Sequence, residues 1–260
     1  MKIPIYQVDA FTGELFSGNP AAVCLLDEWI PDQLMQSIAA ENNLSETAFI
    51  NLSTEPIEIK WFSPRREVDL CGHATLAASR VLFDHSEYKS KDKLTFKSGR
   101  GLLSAHMNNG LIYLDFPIDS PQTIEKNKSM ELFGFEAKSV LRGQDDYLFI
   151  FDDEKIIREI TPNFDLISGL DLRGVIISAR SDEDDFVSRC FYPNYGINED
   201  PVTGSAHTLL APYWSSELNK KELKARQLSI RGGVLYLNIN ADRVKIGGET
   251  SLFLFGEIVI

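Results

Sequence analysis

The chain has 260 residues, 43% of them hydrophobic and 25% charged, enough to bury a core as one large domain or two small ones. A formal net charge of −12 argues against a nucleic-acid partner, because neutralising phosphate needs clustered Lys and Arg; the acidity serves solubility. No apolar run approaches the roughly 20 residues that cross a bilayer, so no membrane partner is expected.

The first residues, 1–9, lack a signal-peptide core and read as a strand. Three widely spaced cysteines, Cys24, Cys71 and Cys190, indicate neither a disulfide framework nor a zinc site, and a reducing cytoplasm is the expected compartment.

Residues 3–8 and 21–26 are short apolar runs flanked by turn residues, which suits buried strands. Thr12-Gly13 and Ser17-Gly18-Asn19-Pro20 between them are loop chemistry. A helix is expected after Pro31, with Leu34, Ile38 and Ala39 on one face, stopping near Asn42-Asn43. Strands at 48–52 and 57–62 follow, then a helix from about Gly72 with Ala74, Ala77, Ala78, Val81 and Leu82 as its apolar stripe. Strands at 94–96, 101–106 and 111–116 form a meander, with Asn108-Asn109-Gly110 as a hairpin turn.

The polar stretch 117–130, containing Ser120-Pro121 and Glu125-Lys126-Asn127-Lys128, reads as a linker. Beyond it the pattern recurs, with strands at 147–151, 174–178 and 186–192 and a helix from about Thr203. A final meander is expected at 227–230, 234–239, 244–246 and 253–258. Strands outnumber helices too heavily for a Rossmann fold, and no Gly-x-Gly-x-x-Gly or P-loop sequence appears. The architecture expected is a duplicated α+β fold in two halves, 1–117 and 118–260, with the last strand open to joining the first half.

Two junctions carry the repeat. Phe62-Ser63-Pro64 leads to Asp69, Cys71-Gly72-His73-Ala74 and an apolar helix, and Phe191-Tyr192-Pro193 leads to Asp200, Gly204-Ser205-Ala206-His207 and another. A glycine at a helix start lets backbone approach a ligand, and the unpaired N–H groups there attract anions. If the junctions face each other between the halves, Gly72, Gly204 and Ser205 would hold a carboxylate or similar anion. One such glycine alone more simply eases a tight turn.

Glu46 sits where the polar loop Asn43-Leu44-Ser45 enters the apolar Ala48-Phe49-Ile50, and partial desolvation there would raise its pKa toward neutral-pH proton transfer. With 38 acidic residues in the chain, local sequence does not single it out, and a solvated strand-edge carboxylate is the simpler local reading. Asp69 and Asp200 either cap the following helices or orient a ligand amine or a catalytic histidine. His73, at a helix start, suits a hydrogen-bond donor, and Cys71 beside Gly72 is a candidate thiolate. The second junction has Pro201 and Val202 where a matching cysteine would stand, which excludes a two-thiol mechanism built on the junctions.

At these residues the chain resembles the PhzF family of phenazine-biosynthesis isomerase-like proteins. The matching segments are Asp9-Ala10-Phe11-Thr12, Gly18-Asn19-Pro20-Ala21-Ala22-Val23, Ser45-Glu46-Thr47-Ala48-Phe49, Cys71-Gly72-His73-Ala74-Thr75-Leu76-Ala77, Glu199-Asp200-Pro201-Val202-Thr203-Gly204-Ser205-Ala206 and Arg231-Gly232-Gly233. They span nearly the whole chain. The resemblance implies the diaminopimelate epimerase-like fold: two pseudo-symmetric halves, each a β-barrel-like sheet around a central helix, with the active site between.

It also implies a cytoplasmic, biosynthetic isomerase that works without cofactor or metal on a small anionic metabolite, and a homodimer. Glu46 is then the catalytic acid/base, with His73, Asp200 and Ser205 in the family's positions. The alternatives within reach of the sequence are a racemase or epimerase using Cys71, and a non-catalytic small-molecule-binding protein.

Overall fold

The computed structural model describes residues 1–125 and 128–260 and sorts them into two units, Met1–Asp115 with Gly247–Ile260, and Phe116–Ile246. The chain opens with β1 (Lys2–Ala10), β2 (Asn19–Leu26), α1 (Asp32–Asn42), β3 (Glu46–Asn51), β4 (Ile57–Phe62), β5 (Glu67–Val68) and α2 (Gly72–Asp84). It continues through β6 (Lys93–Ser98), β7 (Gly101–Asn108) and β8 (Leu111–Pro117), within which it passes into the second unit. There follow β9 (Gln122–Thr123), α3 (Ser129–Phe133), β10 (Ser139–Arg142), β11 (Asp146–Ile150), α4 (Glu154–Glu159), α5 (Phe164–Ser168), β12 (Gly174–Arg180) and β13 (Phe186–Phe191). A short 3-10 turn at Pro193–Tyr195 precedes α6 (His207–Leu218), β14 (Glu222–Gln227), β15 (Gly233–Asn240) and β16 (Arg243–Gly248). Last comes β17 (Thr250–Val259), in the first unit.

In the first unit β2 runs parallel to β3 and β4 parallel to β6, while β3–β4, β6–β7 and β7–β8 are antiparallel. β1 pairs antiparallel with both β2 and β17. Strands covered on both faces lose polar alternation: β2 is apolar from Ala21 to Leu26, and β3 is buried continuously from Thr47 to Asn51. On one side Cys24, Leu26 and Phe49 pack with Met35, Ile38 and Ala39 of α1. α2 packs against β1, β2 and β3, and almost its whole length is buried. The parallel register sets Ala21 opposite Glu46, so β2 and β3 begin at the same edge.

The second unit repeats the pairing order. β11–β12 and β13–β14 are parallel, β12–β13 and β14–β15 antiparallel, and β10 lies antiparallel to β11 and β9. Its core gathers Phe149, Phe151, Val175, Ile177 and Val187 with Ile157 of α4 and Ile167 of α5. Trp214 of α6 stacks on Phe186, centroids 5.4 Å apart, and donates its indole N–H to Ser178 Oγ at 2.9 Å.

Three expectations need correction. The stretch taken as a linker holds β9 and the start of α3, while Lys126 and Asn127 within it lie outside the described residues. The strand expected at 227–230 is instead β14, ending at Gln227, and Ile230 is exposed. Leu223, Ala225 and Gln227 point inward, and the outward Lys224 and Arg226 pair with Asp184, so a period-two strand hides in a charged stretch. The second helix begins at His207 rather than near Thr203, because residues 204–206 form a turn first.

Candidate active site

A loop in unusual backbone conformations connects β1 to β2. Phe11, Phe16 and Gly18 all have positive φ, and buried Asp9 holds the loop by accepting from the Phe16 N–H at 3.0 Å. Gly18 is required twice over: its φ is +66°, and a Cβ there would stand 2.3 Å from the Ala10 carbonyl oxygen. The loop ends on Asn19, fully buried, whose Nδ2 lies 3.3 Å from Nδ1 of His73.

Glu46 is the first residue of β3, and His73 the second residue of α2. Their side chains meet with Glu46 Oε2 3.3 Å from His73 Nε2, at 14% and 8% exposure. An amide nitrogen only donates, so Asn19 makes Nδ1 the acceptor and leaves the ring proton on Nε2, directed at the Glu46 carboxylate. Burial lowers the His73 pKa from 6.5 to about 4, so the imidazole is neutral at physiological pH. Cys71 takes the N-cap of α2 in extended conformation and makes no capping hydrogen bond with its side chain. Its Sγ lies 3.5 Å from His73 Nδ1. The first turn of α2 carries no acidic residue of its own, and the carboxylate that lies against it comes from Glu46 of β3.

In the second unit Asp200 is 8% exposed and accepts from the Thr203 hydroxyl. Buried Gln227 clamps the turn around them: Nε2 donates to the Asp200 carbonyl and Oε1 accepts from the Thr203 N–H, each at 2.8 Å. Ser205 Oγ receives Nη2 of Arg173 at 3.3 Å, and Arg173 makes a two-pronged pair with Asp146. Glu199 grips Arg189, which donates to the Ile157 and Ile160 carbonyls at the end of α4, and so works as a structural tie.

Of the residues singled out from sequence, Glu46, Cys71, Gly72 and His73 come together in the first unit, and Asp200, Gly204 and Ser205 share one turn region of the second. Gly72 is the first helical residue of α2, whereas Gly204 and Ser205 lie in the turn ahead of α6. Asp69 joins neither group: it is exposed and paired with Arg100. Neither Asp69 nor Asp200 caps a helix, since Cys71 and Ala206 hold the two N-cap positions. Sequence reasoning missed Asn19, Arg173 and Gln227 as site residues. For Asn19 the signal was available, in the Gly18-Asn19-Pro20 loop; for the other two, partners more than twenty residues away carried it.

Two units with equivalent strand pairing, one of them presenting a carboxylate–imidazole–thiol cluster at a helix start, make a mixed helix-and-strand fold of the kind seen in epimerases. At the level of fold alone, a hydroxyproline epimerase from Agrobacterium vitis superposes with TM-score 0.65 at 9% identity, over 99% of this chain and 92% of that one. Residues 8–256 match the PhzC-PhzF family, described as phenazine biosynthesis-like protein, and the chain belongs to that family. It is 46% identical to an uncharacterized isomerase of Pseudomonas aeruginosa, over 99% of each chain, and 44% identical to one of Halalkalibacterium halodurans over the full length of both. A crystal structure of a PhzF family protein from Enterococcus faecalis matches with TM-score 0.96 and 45% identity, covering both chains completely.

Proposed function

We propose that this PhzF-like isomerase moves a proton between carbon positions of a small carboxylate-bearing metabolite, with Glu46 as the acid/base. The observation that carries the reading is the contact between half-buried Glu46 and buried His73, 3.3 Å apart at the start of α2. The N–H of a neutral imidazole orients the carboxylate without pairing it to a cation. The Gly72 and His73 amides offer hydrogen bonds to the substrate carboxylate. Glu46 removes a proton from one carbon as the C–H electrons shift into the substrate's conjugated system, and returns it at another. Within the second unit Asp200 and Ser205 are braced by Gln227 and Arg173.

Incubation with small amino acids and cyclic dienoic acids in D2O, followed by mass spectrometry, tests this. Native protein should incorporate solvent deuterium into one of them, and Glu46→Gln should not. Undiminished product formation by Glu46→Gln would remove Glu46 from the chemistry.

A second reading has one observation in its favour: Cys71 Sγ belongs to the same cluster as the Glu46 carboxylate. Cys71 acting with a second base on the opposite face of an α-carbon would racemise an amino acid. Loss of α-proton exchange in Cys71→Ser would favour that reading, and full activity would reject it.

A further inference from the structure

Residues 252–257 of β17 are all exposed, and from Leu252 to Phe255 all are apolar. A strand paired on both edges and packed on one face would bury every second side chain. β1 lies along one edge of β17, in antiparallel register from Lys2↔Val259 to Ala10↔Thr250. The other edge is open at Gly256: with no side chain, its exposure is that of the backbone itself, and nothing stands within 4 Å of where a Cβ would be. Open edges are ordinarily defended by charge, proline or a bulge. β17 has no proline, and its one charged residue, Glu257, is held by Lys2 at 2.6 Å. Its bulge falls at Phe253, opposite Gln7 and Val8, and leaves 254–259 in regular register. The apolar patch extends beyond the strand. Phe16, 71% exposed and at positive φ, packs edge-on against Phe253 with centroids 5.7 Å apart, and Phe255 and Val259 are each 76% exposed. With Leu252 and Leu254 these residues leave on the order of 700 Å² open, against the ~800 Å² that each partner brings to a standard interface.

We propose that β17 joins two copies of this chain, pairing edge to edge and antiparallel with β17 of the second copy across a two-fold axis, and that the contact braces the loop between β1 and β2. A strand that meets its own copy antiparallel is self-complementary, so one sequence supplies both sides of the contact. The open backbone groups along 254–259 find partners, and Phe253 and Phe255 leave water. A strongly charged partner has nothing to meet on this face, because the Lys2–Glu257 pair is neutral and the rest is apolar. The contact reaches the catalytic cluster through the loop: Phe16 packs on Phe253, and Asn19 at the end of the loop meets His73. Covering Phe16 holds the loop, and with it Asn19, in place. The bearing of this bracing on catalysis rests on the reading of Glu46 as the base; the pairing of copies does not.

The test is sedimentation velocity with amide hydrogen exchange, on native protein and two variants. Native protein should sediment at twice the chain mass of 29.3 kDa. Phe255→Glu sets two like charges against each other at the contact and should weaken association by about 100-fold or more. Leu102→Glu changes an equally exposed apolar residue outside the patch and should leave the pair intact. Amides of 252–259 and of 11–18 should exchange more slowly in native protein as its concentration is raised through the association midpoint. A native protein that stays single overturns the proposal, as does a Phe255→Glu protein that pairs as before or a Leu102→Glu protein that falls apart equally. So does a native pair whose 252–259 amides gain no protection, and this measurement stands even if a variant misfolds. Protection of 252–259 without protection of 11–18 keeps the pairing and overturns the bracing. Loss of deuterium incorporation in Glu46→Gln is read separately, so failure of the catalytic reading leaves these outcomes untouched.

Discussion

Glu46 is set apart from the other acidic residues by its company and not by its neighbours in sequence. Asn19 fixes the tautomer of His73, and His73 directs its N–H at Glu46; these contacts bridge 54 residues in one case and 27 in the other. Under the proposed role, replacing the carboxylate with an amide of the same shape removes the base, and turnover should fall by about 10²- to 10⁴-fold in Glu46→Gln. His73 acts through Glu46 and should behave differently. Being neutral above pH of about 4, it adds no limb to the rate profile near the ordinary histidine value. His73→Gln, whose amide keeps an N–H donor, should therefore retain the acid limb of kcat/KM, while His73→Leu should lower the rate across the range. A limb near pH 6.5 that vanishes in His73→Gln would reverse this assignment. Local sequence favoured a solvated Glu46, and only the family resemblance picked it out, because desolvation by residues distant in the chain leaves no local trace.

Whole elements were readable where their pattern is local. The hairpin between β7 and β8 turns on Asn109 and Gly110, both at positive φ, as its Asn-Gly sequence dictates. The stripe Ala74, Ala77, Ala78, Val81 and Leu82 is buried along α2. Helices α3, α4 and α5 are five or six residues long, too short for a 3.6-residue period to declare itself, and were not foreseen. β14 was misplaced because its outward face is held by ion pairs. Two elements should fail to single substitutions. Gly18→Ala forces a side chain into positive φ against the Ala10 carbonyl and should cost about 1–3 kcal/mol in denaturant melts, with loss of activity as Asn19 moves away from His73. Gln227→Leu strands the buried Thr203 N–H and Asp200 carbonyl and should cost about 2–4 kcal/mol. A melt within about 0.5 kcal/mol of native would show that the clamp contributes nothing.

Over the whole molecule the repeat is carried by strand pairing more faithfully than by residues, which is why the two glycine junctions signalled duplication while their chemistry diverged. One feature common to both units is a buried imidazole at the start of the helix that follows the parallel strands: His73 in α2 and His207 in α6. His207 is fully buried, stacks against Phe186 and donates from Nδ1 to the Thr203 carbonyl at 2.8 Å. Burial lowers the pKa of each from 6.5 to about 4. The unfolded chain therefore binds a proton on each imidazole below pH 6.5 that the folded chain refuses until pH about 4. Stability must fall as pH falls through that window, by about 1.4 kcal/mol per pH unit for each histidine and about 3 kcal/mol in all for each. His207→Asn keeps an N–H donor for the Thr203 carbonyl but cannot titrate, so the variant should lose less stability than the native protein between pH of about 7.5 and about 4.5. Urea melts of the two proteins across that range read the difference directly, since the carboxylates common to both cancel. A gap between them that stays constant with pH would mean that His207 takes up its proton as readily in the folded chain as in the unfolded one, and burial would not be setting its charge.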